Sequence, residues 1–186
     1  MSLKNLYQNR PEYDSGTVPL DLSSGEVIGL FEDILNRGLS LRTQVTGVSM
    51  TPFLRGGEIL TITKVRFSSL RIGDLIFFRD SRGFPVLHRI VRKEQKKNIP
   101  IFQTKGDALL SMDDPVSAHD VLGKVTGIEK IFPGGKGRHI DMESLLQRSI
   151  NHFLAVTGLY RSRVYFAVQK SGIYSSLRSI VKKALV

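Results

Sequence analysis

The sequence feature that most constrains the fold is a succession of six short β-type runs between residues 39 and 131. Each run is rich in β-branched, aromatic or alternating apolar residues, and turn signals separate it from the next one. The runs are LRTQVTG, EILTITKV, DLIFFRD, PVLHRIVRKE, IPIFQTKG and VLGKVTGIEKIF. No long helical pattern lies between them, and the segment Asp80–Gly83 is typical of a hairpin loop. The pattern therefore predicts a mainly β body built on an antiparallel sheet.

A short amphipathic helix is predicted before this body, over residues 24–37. Glu26 follows Ser23 at the spacing of a capping box, and Gly38 lies where helices commonly end. The apolar positions form one stripe, which we expect to pack on the core: Val27, Leu30, Phe31, Ile34 and Leu35.

After the β-rich body, the sequence pattern changes from strands to a linker and helices. The segment Pro133–Gly137 reads PGGKG and indicates a linker. After it, Asp141 is predicted to cap a helical run that carries apolar residues at Leu145, Leu146, Ile150 and Phe153. A second, basic amphipathic helix is predicted after Gly172, with Arg178, Lys182 and Lys183 on its polar side.

The chain thus divides into three parts: an irregular lead-in and helix over 1–38, a β-rich body over 39–132, and a linker with a basic helical tail over 133–186. The charge is concentrated in the tail. The whole chain carries 27 Lys and Arg against 17 Asp and Glu, and residues 144–186 hold seven basic residues and no acidic one. Such a block favours an anionic surface, either lipid headgroups or nucleic acid, although it is also compatible with a tail that only improves solubility.

Composition excludes several classes of protein. The chain has no cysteine, which excludes a disulfide scaffold and a thiolate metal site. Its four histidines lack metal-ligand spacing, so we expect no metal and no cofactor. The sequence has no apolar stretch of about 20 residues and no signal-peptide pattern. We therefore expect a cytoplasmic or peripherally membrane-associated protein.

Ser49 is the first candidate catalytic residue. It lies in the segment Gly47–Pro52, GVSMTP, where the glycine permits a tight backbone and the proline prevents continuation of the strand. This geometry exposes a hydroxyl beside backbone N–H groups, as a serine nucleophile requires. Taken alone, a serine in such a turn is far more often an ordinary turn residue than a nucleophile.

His88 is the second candidate. Strand alternation places it on one face with Val86 and Ile90, where a histidine either has a hydrogen-bond partner or is positioned for catalysis. Two carboxylates further along the chain, Asp113 and Asp114, are both suited to hold the imidazole. Serine, histidine and aspartate in this order are compatible with a catalytic triad, because triads are defined by geometry and not by chain order.

Six segments in series, GVSMTP, GGEILTITKV, LRIGDLIFF, FPVLHRIV, FQTKGDALLSMDDPV and VLGKVTGI, resemble the signal peptidase I family. The similarity is to the branch of archaea, the endoplasmic reticulum and some spore-forming bacteria, in which histidine replaces the usual lysine base. It covers roughly Gln44 to Ile128. The resemblance implies a serine endopeptidase with a coiled antiparallel sheet or partial barrel, related to the peptidase domain of self-cleaving repressors.

The resemblance also implies roles for individual residues. Ser49 corresponds to the nucleophile and His88 to its general base, while the acid corresponds to Asp113 or to Asp114, depending on how the segment is aligned. Asp107 resembles a buried aspartate of the family, for which a structural role is expected. Lys105 is the other candidate base, but it belongs to a Thr-Lys-Gly-Asp segment that is common in the histidine branch, so the resemblance assigns it no role.

Three functions are consistent with the sequence. The first is an endopeptidase that cleaves an extended precursor peptide or protein after small residues. The second is a self-cleaving, repressor-type peptidase. The third is a non-catalytic module that binds anionic lipid through its basic tail, since the interleaved aromatic residues of a nucleic-acid-binding module are lacking and no nucleic acid is expected.

Overall fold

A computed structural model describes residues 24–96, 99–131 and 137–170, which form an eight-stranded sheet and two helices. The helices are α1 (Ser24–Asn36) and α2 (Leu145–Lys170). The strands are β1 (Leu41–Gln44), β2 (Ile59–Thr63), β3 (Leu75–Arg79), β4 (Pro85–Lys96), β5 (Ile99–Lys105), β6 (Val116–Ser117), β7 (Val121–Ile131) and β8 (Gly137–Asp141). The predicted mainly β body with flanking helices is confirmed.

The sheet is antiparallel throughout and has the strand order β1-β2-β7-β3-β4-β5-β6, with β8 paired to β7. It does not close into a barrel. Each of the six predicted runs contains a strand. β6 and β8 are additional: β6 is only two residues long, and β8 has the sequence GRHID, which lacks apolar alternation. β8 is held by its pairing with Gly127–Ile131.

Alternation along the strands supplies two hydrophobic cores. Phe77 lies in the first core with residues of α1, including Ile28 and Leu35. Its neighbour Phe78 points to the opposite face and lies in the second core with Ile90. Both faces of the central strands are therefore covered, and the register of β3 and β4 is fixed by burial on both sides.

The helix α1 confirms the predicted element but corrects its stripe. Ile28 and Leu35 are buried, whereas Leu30 is 48% exposed. The face that contacts the sheet is centred on the line through Ile28, Phe31 and Leu35, so Leu30 lies to its side. Gly38 ends the helix with a φ of 75° and donates its N–H to the carbonyl of Leu35.

The start of α2 also differs from the expectation. Asp141 ends β8 and does not cap the helix; its carboxylate accepts the N–H of Glu143. The cap is Ser144, whose hydroxyl accepts the N–H of Gln147. The predicted lead-in, the core of the Pro133–Gly137 linker and the helix after Gly172 lie outside the described residues. Within the described ranges, neither helix combines the length and apolar character needed to cross a membrane.

Candidate active site

Ser49 lies in a tight turn between β1 and β2. The turn is closed by backbone hydrogen bonds from Thr51 N–H to Val48 O (3.1 Å) and from Leu54 N–H to Met50 O (2.9 Å). The side chains of Met50 and Leu54 are buried and anchor the turn in the first core. Ser49 itself is only half-buried, so its hydroxyl is presented at the surface of the sheet.

His88 lies on β4 opposite Ile76 of β3, in the alternating position that the sequence predicts. The residue is 6% exposed, and its ring connects two other side chains. Nε2 lies 3.0 Å from the Oγ of Ser49, and Nδ1 lies 2.7 Å from the Oδ2 of Asp113. The structure therefore brings Ser49, His88 and Asp113 into one continuous set of hydrogen bonds.

The two candidate acids occupy different environments. Asp113 is held by β5: its Oδ2 accepts the Thr104 hydroxyl at 2.7 Å, its N–H donates to Thr104 O at 2.9 Å, and its carbonyl accepts from the Gln103 amide. Asp114 is exposed, and its carboxylate accepts the hydroxyl of Ser81 in the β3–β4 hairpin. The structure thus places Asp113, and not Asp114, beside the imidazole.

Gly106 lies where no side chain fits. A Cβ at this position would lie 2.7 Å from the carbonyl oxygen of Ser49 and 3.0 Å from His88 Nε2. Two residues further on, Ala108 donates its N–H to the same Ser49 carbonyl at 2.8 Å. Sequence reasoning missed the contributions of Thr104 and Gly106, although both belong to the TKGD segment that it quoted.

A buried arginine lies behind the site. Arg89 follows His88 on β4, is fully buried, and donates two hydrogen bonds to the carboxylate of Asp107, at 2.8 and 2.7 Å. Its remaining donors reach Gly73 O at 3.0 Å and the Oδ1 of Asn151 on α2 at 3.1 Å. Asp107 therefore has the expected structural position. Asn151 was not predicted, because it lies in a run that reads as apolar and helical.

Lys105 is buried on the same side as Arg89. It is 2% exposed, and its Nζ donates to the carbonyl of Gly106 at 3.3 Å. Burial, reinforced by the Arg161 guanidinium, lowers the pKa of Lys105 below its ordinary value, while Asp107 and Asp113 act in the opposite direction. Arg161, on α2, donates to the carbonyls of Asp107 and Leu109, so α2 contacts the segment that follows β5.

An apolar cleft of about 460 Å³ opens beside Ser49 and His88. Its lining includes Phe31 of α1 and Phe77 of β3, whose ring centroids are 5.6 Å apart. One wall is formed by β1 and the residues that follow it, and β1 is a terminal strand of the sheet order. The site thus combines a hydroxyl, an imidazole and a carboxylate with a groove beside a strand edge.

The described residues contain no group of three or more histidine, cysteine or carboxylate side chains that could hold a metal ion. A serine hydroxyl hydrogen-bonded to a histidine that is oriented by an aspartate is the arrangement found in serine hydrolases.

Comparison with known proteins gives the same class. A segment of 61 residues is 36% identical to signal peptidase complex catalytic subunit SEC11C from Homo sapiens and from Mus musculus, over 32% of this chain and 32% of each relative. A segment of 94 residues is 31% identical to signal peptidase I W from Bacillus subtilis, over 50% of this chain and 49% of that protein.

No protein-family model matches the chain. The matched segments span about a third of the length of the SEC11C relatives and about half of the length of signal peptidase I W. The partial similarity supports a relationship to the signal peptidase I family.

Proposed function

We propose that this chain is a serine endopeptidase of the histidine-base type, which cleaves a precursor peptide or protein after small residues. The single observation that carries the proposal is the set of hydrogen bonds from Ser49 Oγ through His88 to Asp113, at 3.0 and 2.7 Å. These distances are within the range that proton transfer from a nucleophile to a general base requires.

The proposed reaction follows from this geometry. With its proton on Nδ1, His88 donates to Asp113 and leaves Nε2 to accept the Ser49 proton. Ser49 Oγ attacks the peptide carbonyl, and its backbone N–H stabilises the oxyanion that forms. His88 then gives the proton to the leaving amine, which produces an acyl-serine and frees the first product. A water molecule, deprotonated by His88, hydrolyses the ester and restores Ser49.

The substrate is proposed to bind in extended form along the edge of β1. Strand addition supplies backbone hydrogen bonds, and alternate side chains of the peptide enter the neighbouring cleft. The rings of Phe31 and Phe77 line this cleft, and we expect the peptide to place small side chains against them before the scissile bond. The helix α1 thus contributes to the substrate pocket as well as to the core.

The proposal is tested with the full chain, a library of extended peptides and an electrophile that reacts with activated serines. We expect wild type to cleave after small residues and to be labelled at Ser49, and Ser49→Ala to lose both properties while keeping its thermal stability. Ser81→Ala, at an exposed position in the β3–β4 hairpin, is the matched control and should behave as wild type.

Full turnover by Ser49→Ala would show that the nucleophile is wrong. Cleavage restricted to the chain itself, at a rate independent of protein concentration, would instead identify the self-cleaving, repressor-type reaction.

A further inference from the structure

The helix α2 has an apolar face that points away from the protein. Six residues on one side of the helix form this face, here called the α2 stripe, and are between 40% and 75% exposed: Leu146, Ile150, Phe153, Val156, Tyr160 and Val164. Most of them follow the spacing i, i+4, i+7, i+14 and i+18, which places them on one line along the helix. The exposed Thr157, at i+11, is a polar residue on the same line. An otherwise apolar exposed face of this length is unfavourable in water and indicates a contact surface.

The opposite face of α2 is already occupied by the protein body. Asn151, Ala155 and Ser162 are buried, and Asn151 is hydrogen-bonded to the buried Arg89. Arg161 connects the helix to the carbonyls of Asp107 and Leu109. The helix is therefore fixed in orientation, and the α2 stripe cannot turn inward without loss of these contacts.

The positive charge of residues 144–186 indicates which kind of partner contacts the α2 stripe. Residues 144–186 contain seven basic residues and no acidic one, and Arg163 is exposed on α2. A second copy of α2, or the basic segment 171–186 of the same chain, would bring like charges together on the stripe. An anionic bilayer supplies the opposite charge together with an apolar interior.

We propose that α2 lies in the plane of an anionic membrane surface, with the α2 stripe inserted among the acyl chains near the headgroups. Its exposed apolar residues are segregated on one side, as in helices that lie at an interface, and it is not apolar enough to span the bilayer. The body remains on the aqueous side, attached through the opposite face of the helix. The proposal does not depend on peptidase activity, so Ser49→Ala is expected to bind vesicles as wild type does.

The first test measures partition of the full chain into phosphatidylcholine vesicles with or without roughly a third of phosphatidylglycerol. We expect binding only to the anionic vesicles, with an affinity that falls as salt rises. A variant with Leu146→Ser, Phe153→Ser and Tyr160→Ser should lose at least about tenfold in affinity. Arg163→Gln should lose about fivefold at low salt.

The matched control carries the same three serine substitutions at exposed apolar positions of the body, Leu39, Phe84 and Ile99. It should bind vesicles within about twofold of wild type, because these residues do not lie on α2. Equal binding by the two triple variants would overturn the proposal.

A second measurement uses the absence of cysteine from the chain. A polarity-sensitive fluorophore attached at Phe153→Cys should shift to the blue on addition of anionic vesicles, and the same probe at Leu39→Cys should not. If the Phe153→Cys probe reports an apolar environment before lipid is added and does not respond to it, the stripe is covered by protein and the proposal is wrong. Sedimentation then shows whether the cover is a second copy or the chain's own tail.

Discussion

In β3, Phe77 and Phe78 are both buried, one in each hydrophobic core, whereas in α2 Phe153 is 66% exposed and Asn151 is 3% exposed. The strand β3 and the helix α2 differ in the polarity of the side chains that they pack against. The central strands are covered by apolar side chains on both faces, so burial follows hydrophobicity. The face of the sheet that α2 covers carries the guanidinium of Arg89, which needs hydrogen-bond acceptors.

The side chains of α2 that contact the sheet are therefore polar or small, and not large and apolar. Asn151 supplies a carbonyl oxygen to Arg89, and Ala155 is fully buried. Gly158 faces Lys105, whose Nζ would lie 3.6 Å from a Cβ at that position. Small residues let the helix approach a sheet that already holds two buried cations. The comparison shows that an apolar stripe marks a contact surface without identifying the body of the protein as its partner.

The largest effects are expected on the side of the body where the site lies. Asp113→Asn should reduce kcat by roughly 10³- to 10⁴-fold, because an amide no longer holds the imidazole in the tautomer that accepts from Ser49. Asp114→Asn, one residue further along the chain, should retain most of the activity, because Asp114 contacts Ser81 and not His88. Steady-state cleavage of a library-derived peptide measures both.

Comparison of these two variants distinguishes a carboxylate that is hydrogen-bonded to His88 from one that only lies near it. Equal losses in the two variants would show that the charge of the segment, and not the hydrogen bond to His88 Nδ1, supports catalysis.

A smaller loss, of about 10²-fold, is expected from Gly106→Ala. The added methyl group would lie 2.7 Å from the Ser49 carbonyl, so the turn or the imidazole must move, and displacement of about 1 Å has a cost of this order. Gly137→Ala, where a Cβ has no neighbour within 4 Å, is the control for loss of a glycine. Full activity of Gly106→Ala would mean that the Ser49–His88 geometry tolerates such a shift.

The contrast between body and helix is tested directly by two substitutions on α2. Asn151→Leu adds apolar surface to the buried face but deprives Arg89 of an acceptor, and should lower the free energy of unfolding by about 1–3 kcal/mol. Phe153→Ser removes a large apolar side chain and should change stability by less than about 0.5 kcal/mol, because the ring is exposed. Urea denaturation compares them. The reverse order would show that α2 packs through its apolar stripe.

Much of the body was predictable from the sequence, because alternation and turn residues are local signals. They located the six main strands, the hairpin at Asp80–Gly83 and the histidine on its correct face. The choice of Asp113 over Asp114 was not accessible, since it depends on how Thr104 orients the loop after β5. The packing of α2 was not accessible either, because the partner of Asn151 is Arg89, 62 residues away in the chain.

The smallest effect, a change in stability with pH, is expected at Lys105, which lies where α2 packs on the β body. Burial lowers its pKa in the folded protein, and unfolding restores the ordinary value of about 10.5. Between these two values the unfolded chain binds the proton and the folded chain does not, so the stability of wild type rises with pH in that window. Below it, the folded protein carries the cost of a desolvated ammonium.

Lys105→Met removes the titrating group. It should therefore be slightly more stable than wild type at neutral pH, and this advantage should shrink as the pH approaches 10.5. Urea denaturation at several pH values measures the difference, with Lys64→Met, at an exposed position, as the control for a lost positive charge. Peptide cleavage by Lys105→Met should persist, because the Ser49 hydroxyl is hydrogen-bonded to His88 and the ammonium of Lys105 to the carbonyl of Gly106. An inactive Lys105→Met together with an active His88→Ala would assign the base to the lysine and reverse the roles proposed for these two residues.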